Sequence, residues 1–262
     1  MCSFKGCCYR NIFRNMILEK AKNYWLPDLS ERYCQPELMD FPESDTTLLY
    51  RTLDQFEHIN DLFSAYKRLT RKYFLSDMIT RGKKEYRVAD IGSGGGDYAR
   101  WLVKECRKRG ITTKVTCIDS DKRVIDYAVK KCSSFPEITI LHRNVTDPQV
   151  WRDPYDYAYA NHFLHHFATE KIPGLLSLID RNIRNAFLIN DIYRSPGAYV
   201  GFTLICALLF RKSFAFYDGR LSIRKGFRLS ELQSYVDKAN LPHHTYIRRE
   251  WPARCVVFGG KS

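Results

Sequence analysis

The pattern of apolar and polar positions changes character near residue 86. From Asp45 to about Ile79, Leu49, Leu53, Phe56, Ile59, Phe63, Tyr66 and Leu69 recur at steps of three and four residues. That is the period of amphipathic helices, so this stretch is predicted to be helical. From Tyr86 onward the period shortens. Arg87–Ile91 is a short apolar run ending in glycines, Tyr98–Lys108 has helical spacing, and Lys114–Ile118 is strand-like again. The alternation continues with a helix from about Asp121 to Lys131, strands at Ile138–Leu141 and Tyr155–Ala160, a helix from about Thr169 to Asn182, and a strand at Ala186–Asn190. Such alternation builds an α/β fold, a parallel sheet with helices on both faces. After Asp191 the rhythm is interrupted until Ser230, where Ser230 and Gln233 have the spacing of a capping box. Two closing strands, His244–Arg249 and Arg254–Phe258, lie close enough in sequence to pair antiparallel. The expected architecture is a five-strand parallel core with an antiparallel end, over residues 86–262. It is preceded by a helical extension, 1–85, and interrupted by a helical insertion at about 192–229.

The insertion holds the longest apolar run, Ala198–Phe210. It falls well short of the ~20 residues of a spanning helix, so it reads as a buried or interfacial helix that needs cover all round. With 45% hydrophobic residues in 262, there is material for one domain with additions, and disordered and fibrous classes are excluded. A net charge of +13 opens the question of an anionic partner, nucleic acid or membrane. Charge is also uneven: Glu37, Asp40, Glu43, Asp45, Asp54, Glu57 and Asp61 face only Arg51, and a basic stretch from Lys67 to Arg87 follows. Solvated helix faces are the ordinary explanation of such runs. The nine cysteines have no paired metal spacing and there is no apolar signal segment, so reduced thiols and a cytoplasmic location are expected. Cys2, Cys7 and Cys8 stand among Lys5, Arg10, Arg14, Lys20 and Lys22. This reads as a basic helical extension, with a transit peptide or a lipidated anchor as alternatives.

The most specific feature is the run from Val88 to Asp97, where a buried strand enters the turn Gly92-Ser93-Gly94-Gly95-Gly96 at a helix start. Gly92, Gly94 and Gly96 suit close approach of a ligand to the backbone. A dinucleotide fingerprint wants a glycine where this chain has Asp97, and an acid repels a pyrophosphate. Asp90, at the strand end, suits an ammonium group instead. A ligand with an adenosine, a positive centre and an amino-acid end, but no phosphate, is S-adenosylmethionine. Asp119 ends the second strand where a ribose diol would arrive, unless it merely caps the next helix, a role open to Ser120. Asn144, followed by Val145, ends the third strand, where it either meets the adenine edge or serves as a turn residue.

On these residues the chain resembles the class I S-adenosylmethionine-dependent methyltransferases from about Tyr86 to Phe258, which implies their Rossmann-like sheet. The segment from Tyr155 to Phe167 looks like the fourth-strand region of quinone-biosynthesis methyltransferases. Pro36–Asp40, Asn190–Pro196 and Tyr217–Arg224 together are similar to a bacterial small-molecule subfamily suspected of methylating phenolic or polyketide hydroxyls. The resemblance implies cofactor roles for Gly92, Gly94, Asp119 and Asn144. The full candidate set is Asp90, Gly92, Ser93, Gly94, Asp97, Asp119, Ser120, Asn144, Val145 and Asn161. The Cys-containing N-terminus, and Asn144 where an acid is usual, depart from the pattern.

Methyl transfer needs in-line alignment first, and for a hydroxyl acceptor a base. His165 and His166 follow the fourth strand at the edge where such sheets bind ligands, and one of them is the candidate base, with Tyr193 as the reserve. The alternatives are packing or capping roles, and a metal site from His162, His165 and His166. His243 and His244 are given no chemistry. The expected acceptor is a small apolar or aromatic molecule, roofed by the insertion and covered by the helical extension. Arg211, Lys212, Arg220, Arg224 and Lys225 suit an anionic membrane surface from which it is drawn. An RNA methyltransferase is the main rival. Against it, the fourth strand ends Ala160-Asn161-His162-Phe163, without the Asn/Asp-Pro-Pro-aromatic turn of many amino-methylating nucleic-acid enzymes. The other rival is a non-catalytic binding protein that keeps the fold.

Overall fold

The computed structural model describes residues 27–210, 212–241 and 244–261. The basic Cys2, Cys7 and Cys8 segment, Arg211 and His243 lie outside the described residues. Helix α1 (Thr46–Phe63) starts at Asp45, whose carboxylate accepts the Leu48 N–H. α2 (Tyr66–Thr70) runs through a π-helical turn, Arg71–Leu75, into α3 (Ser76–Arg81). Tyr66, Leu69, Phe74, Leu75 and Met78 are buried in one cluster with Val88, Leu102 and Tyr157. The helical segment and the sheet therefore share a core, each such side chain contributing roughly 1.5–3 kcal/mol.

Strand β1 (Glu85–Ile91) leads through the glycine turn into α4 (Asp97–Arg107). β2 (Thr112–Asp119), α5 (Lys122–Cys132), β3 (Ile138–His142), β4 (Tyr155–Asn161), α6 (Ile172–Arg181) and β5 (Ile183–Ile192) follow. The insertion forms α7 (Pro196–Leu209) and α8 (Ala215–Lys225), after which come α9 (Leu229–Ala239), β6 (His244–Glu250) and β7 (Arg254–Gly260). The sheet order is β3-β2-β1-β4-β5-β7-β6. The first five strands are parallel, while β7 runs antiparallel to both β5 and β6. This is the expected α/β class I methyltransferase sheet. Strand order reverses between β1 and β4, so a crevice opens at their carboxyl ends, the place where ligands bind in open α/β sheets.

Two local expectations are corrected. α9 is capped through Glu231, whose carboxylate accepts the Arg228 N–H at 2.8 Å, and not by Ser230 with Gln233, which instead bonds Asp237. α7 is not covered all round: Tyr199, Thr203 and Cys206 are buried, but Val200, Leu204, Leu208 and Leu209 stand 40%, 53%, 78% and 67% exposed. Among the described residues no helix is long and apolar enough to cross a membrane. The charge runs near the N-terminus are largely spent on ion pairs: Asp61 with Lys67, Glu57 with Arg100, Asp54 with Lys131, Arg68 with Glu250 and Arg71 with Glu105.

Candidate active site

The glycine turn is built as close packing requires. Gly92, Gly94 and Gly96 have φ of 62°, 52° and 71°, in the left-handed region that side chains disfavour. A Cβ on Gly92 would strike the Phe163 ring at 2.4 Å and one on Gly96 the Cys132 sulfur at 2.7 Å, whereas Gly94 faces open space. That open space belongs to a cavity of about 410 Å³ whose walls include all ten cofactor candidates, Asp90, Gly92, Ser93, Gly94, Asp97, Asp119, Ser120, Asn144, Val145 and Asn161.

The electrostatics of this chamber favour a cation. Burial, together with Asp97 and Asp119 nearby, holds the Asp90 carboxyl well above the usual range. Burial pushes Asp97 up to about 6, against a hydrogen bond from Asn60 Nδ2 at 3.1 Å. Burial also raises Asp119, although its carboxylate accepts the N–H groups of Gly94 at 3.2 Å and Asp121 at 3.1 Å. Three acids short of counter-charge suit a ligand that brings positive charge and hydroxyl donors, and repel a pyrophosphate. The cap of α5 is Asp121, which accepts the Arg123 N–H at 2.8 Å, so neither Asp119 nor Ser120 is needed there. Asn144 does form a turn, its Oδ1 accepting from Thr146 N and Oγ1, and it stays exposed in the chamber wall.

A second cavity of about 280 Å³ adjoins the first, sharing Met39, Asn60, His162 and His166 as common walls. Its remaining lining is mostly apolar, with Phe56, Ile59 and Phe63 from α1 and Gly201, Phe202 and Ile205 from α7. The insertion and the helical extension thus face each other across it, as the sequence suggested. Leu208, in the same apolar run as Phe202, is instead on the outer side of α7.

The histidines divide. His165 is buried with Nδ1 2.7 Å from Asp191 Oδ1 and Nε2 3.5 Å from Glu37 Oε1. Burial opposes its charge, but Asp191 and Glu37 outweigh that and raise its pKa. Asp191 in turn is held below the usual carboxylate range, because His165 overcomes its burial. Both ring nitrogens of buried His165 thus face carboxylates and it does not line the cofactor chamber, so the expectation that it is an available base is corrected. His166 stands in both chambers with its side chain 32% exposed, its Nδ1 3.5 Å from both Asp40 Oδ1 and Lys225 Nζ. Tyr193 lines neither chamber: the Arg249 guanidinium lies 4.3 Å over its ring and its N–H bonds Ala253 O, so its reserve role is withdrawn. The metal reading fares no better. The histidines fall into two acid-containing groups, Glu37 with His165 and His166, and His162 with His165 and Asp191. Cations already stand against both: Lys225 Nζ is 3.0 Å from Glu37 Oε1, and Arg254 Nη1 is 3.0 Å from His162 Nε2.

Sequence reasoning missed Met39, Asp40, Glu57, Asn60, Arg143 and Phe163 in the cofactor chamber, and Arg254 in the apolar one. One signal was present: Asn60 falls on the stripe of Leu49, Leu53, Phe56 and Phe63, a polar residue where the period calls for an apolar one.

Residues 88–186 match the methyltransferase domain family. Comparison with curated proteins gives no match. Among solved structures, the CMeT domain of the citrinin polyketide synthase superposes with a TM-score of 0.54 at 17% identity, over 72% of this chain and 50% of that one. Human N-acetylserotonin methyltransferase in complex with S-adenosylmethionine gives 0.57 at 14%, over 83% and 57%. The plantazolicin methyltransferase BamL gives 0.55 at 14%, over 82% and 86%. The chain thus spans little more than half the length of the first two, and at these identities what is shared is the fold. Residues 88–186, from β1 into β5, thus match the methyltransferase domain family, and the chain has the fold shared by class I methyltransferases.

Proposed function

We propose that the protein transfers a methyl group from S-adenosylmethionine to a small apolar or aromatic acceptor carrying a hydroxyl or similar oxygen. The observation that carries this reading is the apolar cavity joined to the cofactor chamber through Met39, Asn60, His162 and His166. When bound, the cofactor supplies a methyl on a sulfonium: a bond from the acceptor oxygen to that carbon forms as the carbon–sulfur bond breaks, its electron pair staying on sulfur. The residues that would hold the cofactor are Asp90 and Asp97 toward its positive end, Asp119 toward a ribose diol and the Gly92–Gly96 turn against its body. Phe56, Phe63, Phe202 and Ile205 orient the acceptor and exclude water, and alignment of this kind is the larger part of catalysis. His166 is the group suited to accept a proton from a hydroxyl. The test is labelled-methyl transfer onto a cell lipid extract and onto total RNA. Label is expected in organic-extractable small molecules, and Phe202→Ser should lower the yield by about tenfold or more, the worth of a buried aromatic contact. Label confined to RNA would replace this reading by the RNA-methyltransferase one.

Cofactor affinity should depend on pH through Asp97. Its pKa near 6 in the free chamber means that below this value the carboxyl is protonated and must release its proton to meet a cation. Binding is thus expected to be strongest above pH 7 and to weaken toward pH 5, by at most about tenfold per unit for this group. Asp90, whose carboxyl burial also raises, acts in the same sense. Calorimetry across this range in buffers of different ionisation heat should register proton release near pH 6. A flat affinity with no released proton would remove Asp97 from the cationic end.

The exposed stripe of α7 borders the acceptor cavity: Val200 and Leu204 adjoin Gly201 and Ile205, Leu62 precedes Phe63, and Trp251, 80% exposed, precedes Pro252. We assign this rim to contact with an anionic lipid surface from which the acceptor enters, consistent with the net charge of +13. Leu204→Ser with Leu208→Ser is expected to abolish cosedimentation with phosphatidylserine vesicles and to leave cofactor affinity unchanged. All six described cysteines are free thiols, five of them buried, which supports a reducing, cytoplasmic setting.

A further inference from the structure

Arg254 opens β7 and is only 4% exposed, yet every polar partner of its guanidinium is uncharged. Nε donates to Asn190 Oδ1 at 3.0 Å, and Nη2 to Asn161 Oδ1 at 3.0 Å and to Asn190 O at 2.9 Å. Nη1 stands 3.0 Å from His162 Nε2. These contacts engage four of the five N–H groups a guanidinium carries, leaving one on Nη1. Asp191, the buried acid paired in register with Cys255, acts on it through space without a hydrogen bond. That carboxylate is taken up by His165 Nδ1 and by the N–H groups of Phe163, His165 and Ile192. Burial lowers the Arg254 pKa, but a guanidinium remains charged.

The one acid that acts on this buried cation is shared with His165 and is not bonded to the guanidinium, so a further negative charge at the free N–H would be favourable. Arg254 lines the apolar cavity, and its partners Asn161 and His162 line the cofactor chamber. The charge therefore sits where the two chambers meet. His162 is held there at φ 53°, a left-handed conformation that is strained for a side-chain-bearing residue and that marks functional positions. Burial, and then Arg254 itself, keep the His162 pKa well below its ordinary value, so the ring is neutral. With Nε2 accepting from Arg254, its proton is on Nδ1, so the ring offers a donor and no competing negative charge.

We propose that Arg254 is the acceptor-orienting residue and that the acceptor is an apolar acid, its anionic oxygen, carboxylate or phenolate, held against this guanidinium at the junction of the chambers. This rests on the reading of the apolar cavity as the acceptor site. A fixed guanidinium there lowers the pKa of a bound hydroxyl and places its oxygen lone pair at the cofactor side, which is electrostatic preorganisation.

The test is calorimetric titration of the protein saturated with S-adenosylhomocysteine, using 2-naphthoate and its uncharged analogue 2-naphthamide. Naphthoate is expected to bind about tenfold more tightly or better, the worth of one charge-assisted hydrogen bond. Arg254→Gln should erase that preference while naphthamide still binds, and Arg254→Lys, which keeps the charge but not the fork, should retain part of it. Equal affinity for the two probes, or a preference that survives in Arg254→Gln, overturns the assignment of Arg254 and leaves the cavity reading intact. If Arg254→Gln does not fold, the Lys variant decides, since a preference unchanged from wild type contradicts a role for the fork. Phe202→Ser separates the two layers: it should weaken both probes alike. If it weakens neither, or if neither probe binds the wild type, the cavity is not the acceptor site and the Arg254 assignment falls with it.

Discussion

Replacing His166 with Gln is expected to lower turnover of a hydroxyl acceptor by about 10²–10⁴-fold while changing cofactor affinity by less than about threefold, the signature of a lost general base. Its neighbours are spoken for. His162 accepts from Arg254 through Nε2, and both ring nitrogens of His165 face carboxylates. His162 and His166 both line the two chambers, but of the three only His166 has an exposed ring that is not tied to Arg254 or locked between two buried carboxylates. Chemical rescue separates the base from a structural role: added imidazole should raise the residual rate of His166→Gln and leave the wild-type rate unchanged. His165→Gln should behave differently, lowering stability because Asp191 and Glu37 lose the group between them. Undiminished turnover in His166→Gln would leave alignment, with Arg254, as the source of rate.

The legible parts of this chain were those whose physics is local. A strand that ends in glycines at a helix start announces close backbone approach, and the chain folds it that way, with Gly94 open and Gly92 and Gly96 against Phe163 and Cys132. The acids at Asp90, Asp97 and Asp119 could be read for charge because each is fixed by a strand end or helix start of the same βαβ unit. The period of α1 showed an apolar face, but which part of the sheet it would cover is a long-range matter. Asn60 and Glu57 therefore reached the cofactor chamber without a motif to mark them.

The misread parts were set by tertiary contacts. His165 and His166 are neighbours in sequence and looked interchangeable; one is buried between Asp191 of β5 and Glu37 of the N-terminal segment, and the other is not. Arg254 read as an ordinary strand residue, since nothing near it in sequence shows that β7 inserts between β5 and β6 and carries a guanidinium to the site. α7 read as a helix needing cover all round because composition cannot tell a buried face from one that waits for a surface.

The stretch around Glu37 reaches the site only because it is strapped down, and this makes Arg194→Ala the substitution expected to cost most stability among those that touch neither chamber. The Arg194 side chain is fully buried; its Nε donates to Leu29 O at 3.0 Å, Nη1 to Gly226 O at 2.6 Å and Nη2 to Ser30 O at 3.1 Å. Nη2 also pairs with Glu231 Oε1 at 2.6 Å. One residue after β5 thus ties together the start of the N-terminal strap, the end of the insertion and the first turn of α9. Removing it takes a charged donor from three carbonyls and from the Glu231 carboxylate, of which Leu29 O and Glu231 keep only Arg228, and this should cost about 3–5 kcal/mol. For a chain of this size that lowers the melting temperature by roughly 6–20 °C. Below the transition the strap should loosen before the sheet, since what remains is a row of separate contacts and no ladder: Arg228 on Leu29 O, Arg32 on Lys225 O and Thr169, the Tyr33 N–H on Arg224 O, Asp218 on the Leu38 and Met39 N–H groups and Lys225 on Glu37. Hydrogen exchange of residues 29–40 is therefore expected to rise more than that of β1 to β5. A melting temperature within about 2 °C of wild type, or exchange that rises evenly across the sheet, would show that the strap does not depend on Arg194.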